Sequence, residues 1–443
     1  MIARALCLTA LASVLSTAAP AQERPALSPE EQRIATYIDT HGAEAIKLLE
    51  RSVNINSGTL NPAGVRAVYD VLAPELQRLG FEVRYAALPA QMGRGGHLVA
   101  TLRPRGGSAR GKKLLLIGHL DTVFEKDSPF QRFERLTDSV ARGPGAADMK
   151  GGNVVIVQAM KALASIGALE GSHIRIIMTG DEEAPCRPLE IARAALLQAG
   201  READVALGFE GGSQDRDGTA RAVVARRSSS SWKLDVQARP AHSYGIFSES
   251  VGAGAIYEAS RILDRFYGEI RGEAGLTFST GLILGGTEVK HDAAEARGTA
   301  FGKTNVVPET VVATGDIRTL TDEQLQRTRE RMRHIVQRGL PQARAEISFT
   351  DSYPSMPPTE ENYRLLRLYS SVSEGLGLGP VLAFDPAQRG AADISFVASL
   401  VEAGMDGLGV YGSGAHTVEE TVDLASLPRQ TKRAAILIYR LTR

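Results

Sequence analysis

The 443-residue chain has almost no cysteine, only Cys7 and Cys186. Cys7 lies in an N-terminal stretch that reads as a removable leader. Cys186 is then alone, and a single thiol cannot close an internal disulfide. No histidine follows it at the spacing of a cysteine-nucleophile motif, so it reads as a small buried hydrophobe. An excess of one charge is missing as well. With 51 basic and 51 acidic residues the formal charge is zero, which removes the electrostatic case for nucleic acid or an anionic membrane as partner. Beyond the N-terminus no apolar run reaches membrane-spanning length, and there is no internal repeat or long low-complexity tract. What remains is 43% hydrophobic and 23% charged, an ordinary globular composition long enough for two or three domains.

The first residues stand apart. "MIARALCLTALASVLSTAAPAQE" places Arg4 before an apolar run from Ala5 to about Val14, and Ala19-Pro20-Ala21 fits a small-residue cleavage site. The apolar core is too short to span a bilayer comfortably. The expectation is a signal peptide over residues 1–21, a periplasmic or secreted mature protein, and no stable membrane association after cleavage.

Several segments then read as strand followed by polar loop. "KKLLLIGHLDTVF" ends at His119 and Asp121, "HIRIIMTGDEE" at Glu182 and Glu183, "ADVALGFEGG" at Glu210, and "MDGLGVYGSGAH" near His416. Short continuous apolar runs bounded by Gly suit strands buried on both faces, as in a mostly parallel sheet. Between them, "GVRAVYDVLAPELQRLG" is an amphipathic helix and "NVVIVQAMKALASIG" a helix apolar almost all round. The fold class expected is α/β, a mostly parallel-sheet catalytic domain covered by helices. From about Ser228 to Tyr353 the pattern changes to strand (Ser231 to Ala238), helix (Ser250 to Ile270), strand (Leu276 to Leu284), strand (Thr310 to Arg318), helix (Thr321 to Gly339) and strand (Ala343 to Thr350). This β-α-β-β-α-β order is that of a ferredoxin-like α+β unit. The polar runs "GGSQDRDGTARA" and "DSYPSMPPTEEN" on either side suit hinges. The expected organisation is a discontinuous catalytic domain, residues 27–227 and 354–443, with an inserted lid or dimerisation domain at residues 228–353.

In a parallel sheet, ligands bind outside the carboxyl ends of the strands, and the polar clusters fall there. His119, Asp148 (in "GPGAADMKGG"), Glu182, Glu183, Glu210 and His416 are N and O donors of the kind zinc accepts. Singly, each is an unremarkable structural histidine or solvated acid. Together they raise a question about "DEE": three adjacent carboxylates repel one another, and either water or a bound cation must relieve them.

"GHLDTVF", "GPGAADMKGG", "GDEEAP", "FEGG" and "SGAH", in this order, resemble the motifs of a dizinc hydrolase family. That family includes bacterial glutamate carboxypeptidase, aminoacylase, acetylornithine deacetylase and succinyl-diaminopimelate desuccinylase. The resemblance covers nearly the whole mature chain and implies two zinc ions per subunit, with other divalent ions such as cobalt as substitutes, sharing Asp148. One ion would add His119 and Glu210, the other Glu183 and His416. It further implies that Asp121 orients His119, and that Glu182, held outside the coordination shell, acts as general base and acid toward a metal-bridging hydroxide. Asp181 would only brace the loop. In the lid, His242 would reach the partner subunit's active site in a homodimer and stabilise the oxyanion, while Asn305 and Arg318 would grip a substrate carboxylate. Arg318 has an alternative partner in Asp316, and His242 an alternative as a surface residue.

Two departures limit what carries over. "QRGAADISFVA", with Arg389 and Gly390 as candidate substrate contacts, stands where the family often has G-G-T-D or G-S-D. "FTDSYPSM" lacks an Arg that the glutamate-cleaving members have, so glutamate specificity is not carried over. The function implied is a secreted hydrolase cleaving amide bonds of dipeptides or short peptides with a free carboxylate. The alternatives are an N-acyl amino acid deacylase on the same dizinc site and, in another class, a non-catalytic periplasmic binding protein.

Overall fold

The computed structural model describes residues 26–104, 110–293 and 295–443; the expected signal peptide lies outside them. Six strands form the main sheet, in spatial order Glu82–Ala86, His97–Leu102, Ile174–Thr179, Leu114–His119, Val205–Gly208 and Ala403–Met405. Only His97–Leu102 runs against its neighbours; the four strands from Ile174–Thr179 to Ala403–Met405 pair in parallel. The inner strands are buried nearly throughout, which explains their unbroken apolar runs: helices cover both faces. The helix Gly151–Ser165 is buried along most of its length and packs against the helices Pro29–Thr40, Gly42–Val53, Pro62–Gln77 and Ser426–Leu441 as well as the sheet. Its lack of a polar face follows from that position. Three parallel strands stop at the same edge, at His119, Thr179 and Gly208, and the chain turns there into the polar motifs.

The inserted unit has an antiparallel sheet in the order Thr277–Gly286, Thr310–Arg318, Ser229–Ala238, Ala343–Tyr353. Along Ser229–Ala238 the residues Ser230, Trp232, Leu234 and Val236 are buried while their neighbours are more open, the alternation of a sheet covered on one face. The helices Ala255–Arg265 and Asp322–Gln337 supply that cover, through Ala259, Ile262, Leu325, Met332 and Ile335. Its core and that of the main sheet are separate clusters.

Three details differ from the sequence reading. A hairpin, Glu288–Asp292 paired with Arg297–Phe301, follows the second lid strand. Its residues are all half-exposed or exposed, so no buried apolar alternation announced it. The first lid helix begins at Ala255 rather than Ser250, because Gly252 and Gly254 adopt φ of +71° and +86°, left-handed values that exclude a continuous helix. "GGSQDRDGTARA" is more than a hinge: Ser213–Gln214 and Ala220–Ala222 pair with each other, and the latter pairs with Val381–Ala383. The two crossings between sheets lie side by side, with Arg226 and Met356 exchanging backbone hydrogen bonds at 2.9 Å.

Candidate metal centre

His119 ends its strand with a side chain only 1% exposed. Its Nε2 faces Asp148 Oδ1 at 3.3 Å and Glu210 Oε1 at 3.6 Å. On the opposite side Nδ1 lies 3.0 Å from the Asp121 carbonyl and 3.4 Å from Asp121 Oδ1. An Nδ1–H donated to Asp121 leaves the Nε2 lone pair free for a cation, the arrangement expected of a metal-binding imidazole. Asp121 itself is fully buried and accepts from Thr59 Oγ1 at 2.7 Å, and from the backbone N–H groups of Glu182 and Glu183 at 3.0 and 3.1 Å. One carboxylate therefore fixes both the histidine and the acidic loop. Burial works against its charge, but His119 and these donors hold its pKa below the usual carboxylate value.

Asp148 sits in the tight turn Ala146–Lys150, where its φ and ψ of −116° and 93° break the helical run. Glu420 fastens this turn from beneath. Its buried carboxylate accepts the N–H groups of Gly145, Ala147 and Asp148 at 3.0, 2.9 and 3.1 Å. Asp148 Oδ2 meets His416 Nε2 at 3.1 Å, and His416 Nε2 meets Glu183 Oε2 at 3.2 Å. His416 holds φ at +64°, a conformation few non-glycine residues adopt and one that recurs at functional sites.

Two triads result, His119–Asp148–Glu210 and Asp148–Glu183–His416, each with its donor atoms within 4.8 Å of one another. Each offers one imidazole nitrogen and two carboxylates, and Asp148 belongs to both. That donor set fits zinc and comparable divalent ions. The five residues expected as ligands are thus brought together. The electrostatics are those of crowded carboxylates. Burial and Asp148 push Glu210 up to about 8. Hydrogen bonds to Asp148 and Glu183 push His416 up to about 11. Burial, then the neighbouring Glu210, Asp393 and Glu183, raise Glu182 well above its ordinary value despite the pull of His119.

Behind the triads lies a second layer that the sequence reading missed. Arg193, with no exposed surface, reaches Asp181 Oδ1 at 2.6 Å and Asp393 Oδ1 at 2.9 Å. Asp181 Oδ2 also accepts from the Cys186 N–H and thiol, both at 3.1 Å. Asp181 thus braces the loop, and burial with Asp181 beside it pushes the Cys186 thiol up to about 12, too high for a nucleophile. Arg226 and Asp406 form another buried pair at 2.8 Å, and Asp406 accepts the Glu210 N–H at 3.3 Å. The signals were faint: an Arg inside the apolar run "EIARAALL", and one more Glu in "HTVEETVDL".

The lid candidates lie elsewhere. His242 and Asn305 are exposed and adjacent, with the Ser243 N–H donating to the Asn305 carbonyl at 2.9 Å. Arg318 pairs with Asp316 at 2.9 Å. Among the described residues, no hydrogen bond or ion pair joins these three to the triads. Arg389 is closer: its guanidinium donates to the Gly211 carbonyl next to Glu210, lies 5.4 Å from the Phe384 ring, and has a buried Nε without a partner among the described residues. Gly390 is exposed, and its carbonyl accepts from Arg226 at 2.6 Å.

The chain is 27% identical over 435 residues to carboxypeptidase G2 of Pseudomonas sp. (strain RS-16), covering 98% of this chain and 97% of that protein. Its fold is similar to aminopeptidase PepT of Bacillus cereus ATCC 10987 (TM-score 0.70, 18% identity, 91% of this chain and 99% of that one). It is also similar to an M20 family metallo-carboxypeptidase of Sulfolobus solfataricus (TM-score 0.63, 14% identity, 90% of this chain and 99% of that one). Residues 115–440 match the sequence profile of peptidase family M20/M25/M40, and the chain belongs to this family of metal-dependent hydrolases.

Proposed function

We propose that the protein is an exported, zinc-dependent hydrolase that cleaves the amide bond of dipeptides or short peptides bearing a free carboxylate. The observation that carries this reading is the pair of triads sharing Asp148, with Glu182 beside them and outside both. His119, Asp148 and Glu210 would hold one zinc ion, and Asp148, Glu183 and His416 a second. Two bound zinc ions would polarise the scissile carbonyl and make a water acidic enough to be deprotonated near neutral pH. Glu182, a carboxylate beside the triads and outside both, would take the proton from water and deliver it to the departing nitrogen. Asp121 keeps His119 in the tautomer that presents Nε2. Arg389, already partly desolvated, supplies a fixed positive charge for a substrate carboxylate, and the Gly390 backbone lines the same segment. The carboxypeptidase names of two similar proteins support this class of substrate.

The lid would complete the site from a second copy of the chain. Tyr244, Phe247, Tyr257, Ile283 and Phe301 are exposed on it, more apolar surface than a solitary lid would show to water. A homodimer through the lid would cover part of that surface and carry His242, with Asn305 and Arg318, toward the partner's triads, where His242 would stabilise the oxyanion. Export rests on the leader-like N-terminus.

The test is hydrolysis by the purified mature chain of a panel of dipeptides and N-acyl amino acids, with and without chelator, alongside metal analysis. Chelator-sensitive release of amino acids from dipeptides is expected. Turnover confined to acyl amino acids would reassign the substrate to the deacylase class. Absence of any divalent ion after reconstitution would remove the metal site.

A further inference from the structure

The segment that closes the lid touches the loop carrying the proton shuttle. Tyr353 is the last residue of the lid strand Ala343–Tyr353 and is buried. Its hydroxyl donates to the backbone carbonyl of Glu182 at 2.6 Å. Arg193 stands behind it, its Nη2 lying 3.4 Å from the Tyr353 hydroxyl and 3.2 Å from the Asp181 carbonyl. The ring packs on Phe396 with centroids 5.1 Å apart, so the hydroxyl is fixed from both sides. Beside it, Arg187 on the loop donates to the Asp351 carbonyl at 2.5 Å.

Glu182 is therefore gripped at both ends of its own backbone. Its N–H points to Asp121 Oδ1 at 3.0 Å and its carbonyl to Tyr353. The first grip comes from the residue that also orients His119; the second comes from the lid. A Glu side chain has three rotatable bonds, and fixing the residue's backbone from two sides narrows the positions its carboxylate can sample. We infer that Tyr353 is a positioning residue for the reaction: through the Glu182 carbonyl, it sets where the proton-transferring carboxylate stands and ties that position to the lid strand. Burial, with Glu182 and Asp393 nearby, raises the Tyr353 pKa well above its ordinary value, so the hydroxyl remains a donor throughout the working pH range.

This inference rests on the role of Glu182 proposed above, and the experiment separates the two. Steady-state kinetics on the best dipeptide would compare the native chain, Tyr353→Phe and Glu182→Gln, each with metal content and thermal unfolding recorded. Tyr353→Phe keeps the ring on Phe396 and removes only the donor. The expected result is a fall in kcat of about tenfold with KM within about twofold, because a loosened base costs transition-state stabilisation and not substrate binding. Metal content and cooperative unfolding should be retained. A native kcat in Tyr353→Phe, with Glu182→Gln inactive, would overturn the positioning role alone. Loss of metal or of cooperative unfolding in Tyr353→Phe would mark the hydroxyl as a structural prop and also overturn it. Full activity in Glu182→Gln would overturn the reading of Glu182 and this inference with it.

Discussion

In the layer behind the site, Asp181 and Asp393 flank Arg193 at 2.6 and 2.9 Å, and Asp406 holds Arg226 at 2.8 Å. In the layer facing the cleft, the side chains of Asp148, Glu183 and Glu210 meet, among the described residues, only the imidazoles of His119 and His416. The two layers share an edge of one sheet, yet the buried back layer pairs its acids with guanidinium cations while the half-buried front layer has only imidazoles, whose protons a bound cation can displace. A buried carboxylate without a partner is destabilising, so the front layer is arranged for charge that comes from outside and the back layer for permanence. Asp181 and Glu182 are neighbours in sequence, and the boundary between layers runs between them. Substitutions in the two layers should therefore fail in different ways.

The largest effect expected is in front. Glu182→Ala should bind zinc normally and lose about a thousandfold or more in kcat, the scale of a lost general base, without losing stability. Kinetics and metal analysis on the same preparation check this, and activity within tenfold of native would break the contrast. In the back layer, Arg193→Met should leave two buried carboxylates unpaired and lower the unfolding free energy by about 3 kcal/mol or more. Denaturant titration measures it. A variant as stable as the native chain would mean that the rear ion pairs are dispensable.

An intermediate effect is expected where the layers join. Glu420 touches neither triad's imidazoles but ties down the backbone of Asp148 through three N–H groups. Glu420→Ala would release that turn, and zinc affinity should fall about 10- to 100-fold, the usual penalty for losing a residue that orients a ligand. Competition with a chromogenic chelator would report it. Unchanged affinity would show that the turn holds its shape unaided.

The same boundary separates what could be read in the sequence from what could not. His119, Glu182, Glu183 and Glu210 were legible as a set because they closely follow buried apolar runs, and parallel strands deliver such residues to one edge. Asp148 and His416, which lie in turns, were legible only through the motifs that resemble the family's. The lid's strand and helix order was legible from its periodicity. The back layer was not, since its contacts join residues far apart: Thr179 donates to Asp393 across 214 positions and Asp148 to Glu420 across 272. Nothing local marks Arg193 as buried between two acids. The Glu288–Asp292 hairpin escaped for a different reason: its strands are too exposed for a hydrophobic pattern to select them.

The smallest effect concerns His97, the first residue of the strand His97–Leu102, which lies in neither layer. It is buried, accepts the Gly180 N–H at Nδ1 at 3.1 Å, and has Nε2 2.8 Å from the Ala192 carbonyl. One nitrogen must accept and the other donate, so the ring has to be neutral. Burial lowers its pKa below the ordinary value of 6.5. The unfolded chain takes up a proton on this residue as pH falls through about 6.5, while the folded chain resists until a lower pH. The contribution of His97 is therefore complete above that pH and is lost progressively as the solution is acidified below it. Denaturation of the native chain and His97→Gln between pH 8 and 5 isolates the effect, since every other acid-sensitive group is common to both and cancels. The native chain should be more stable by about 1 kcal/mol at pH 8, the worth of a buried hydrogen bond, and the advantage should shrink toward pH 5. A gap independent of pH would show that His97 supports the strand ends by packing alone.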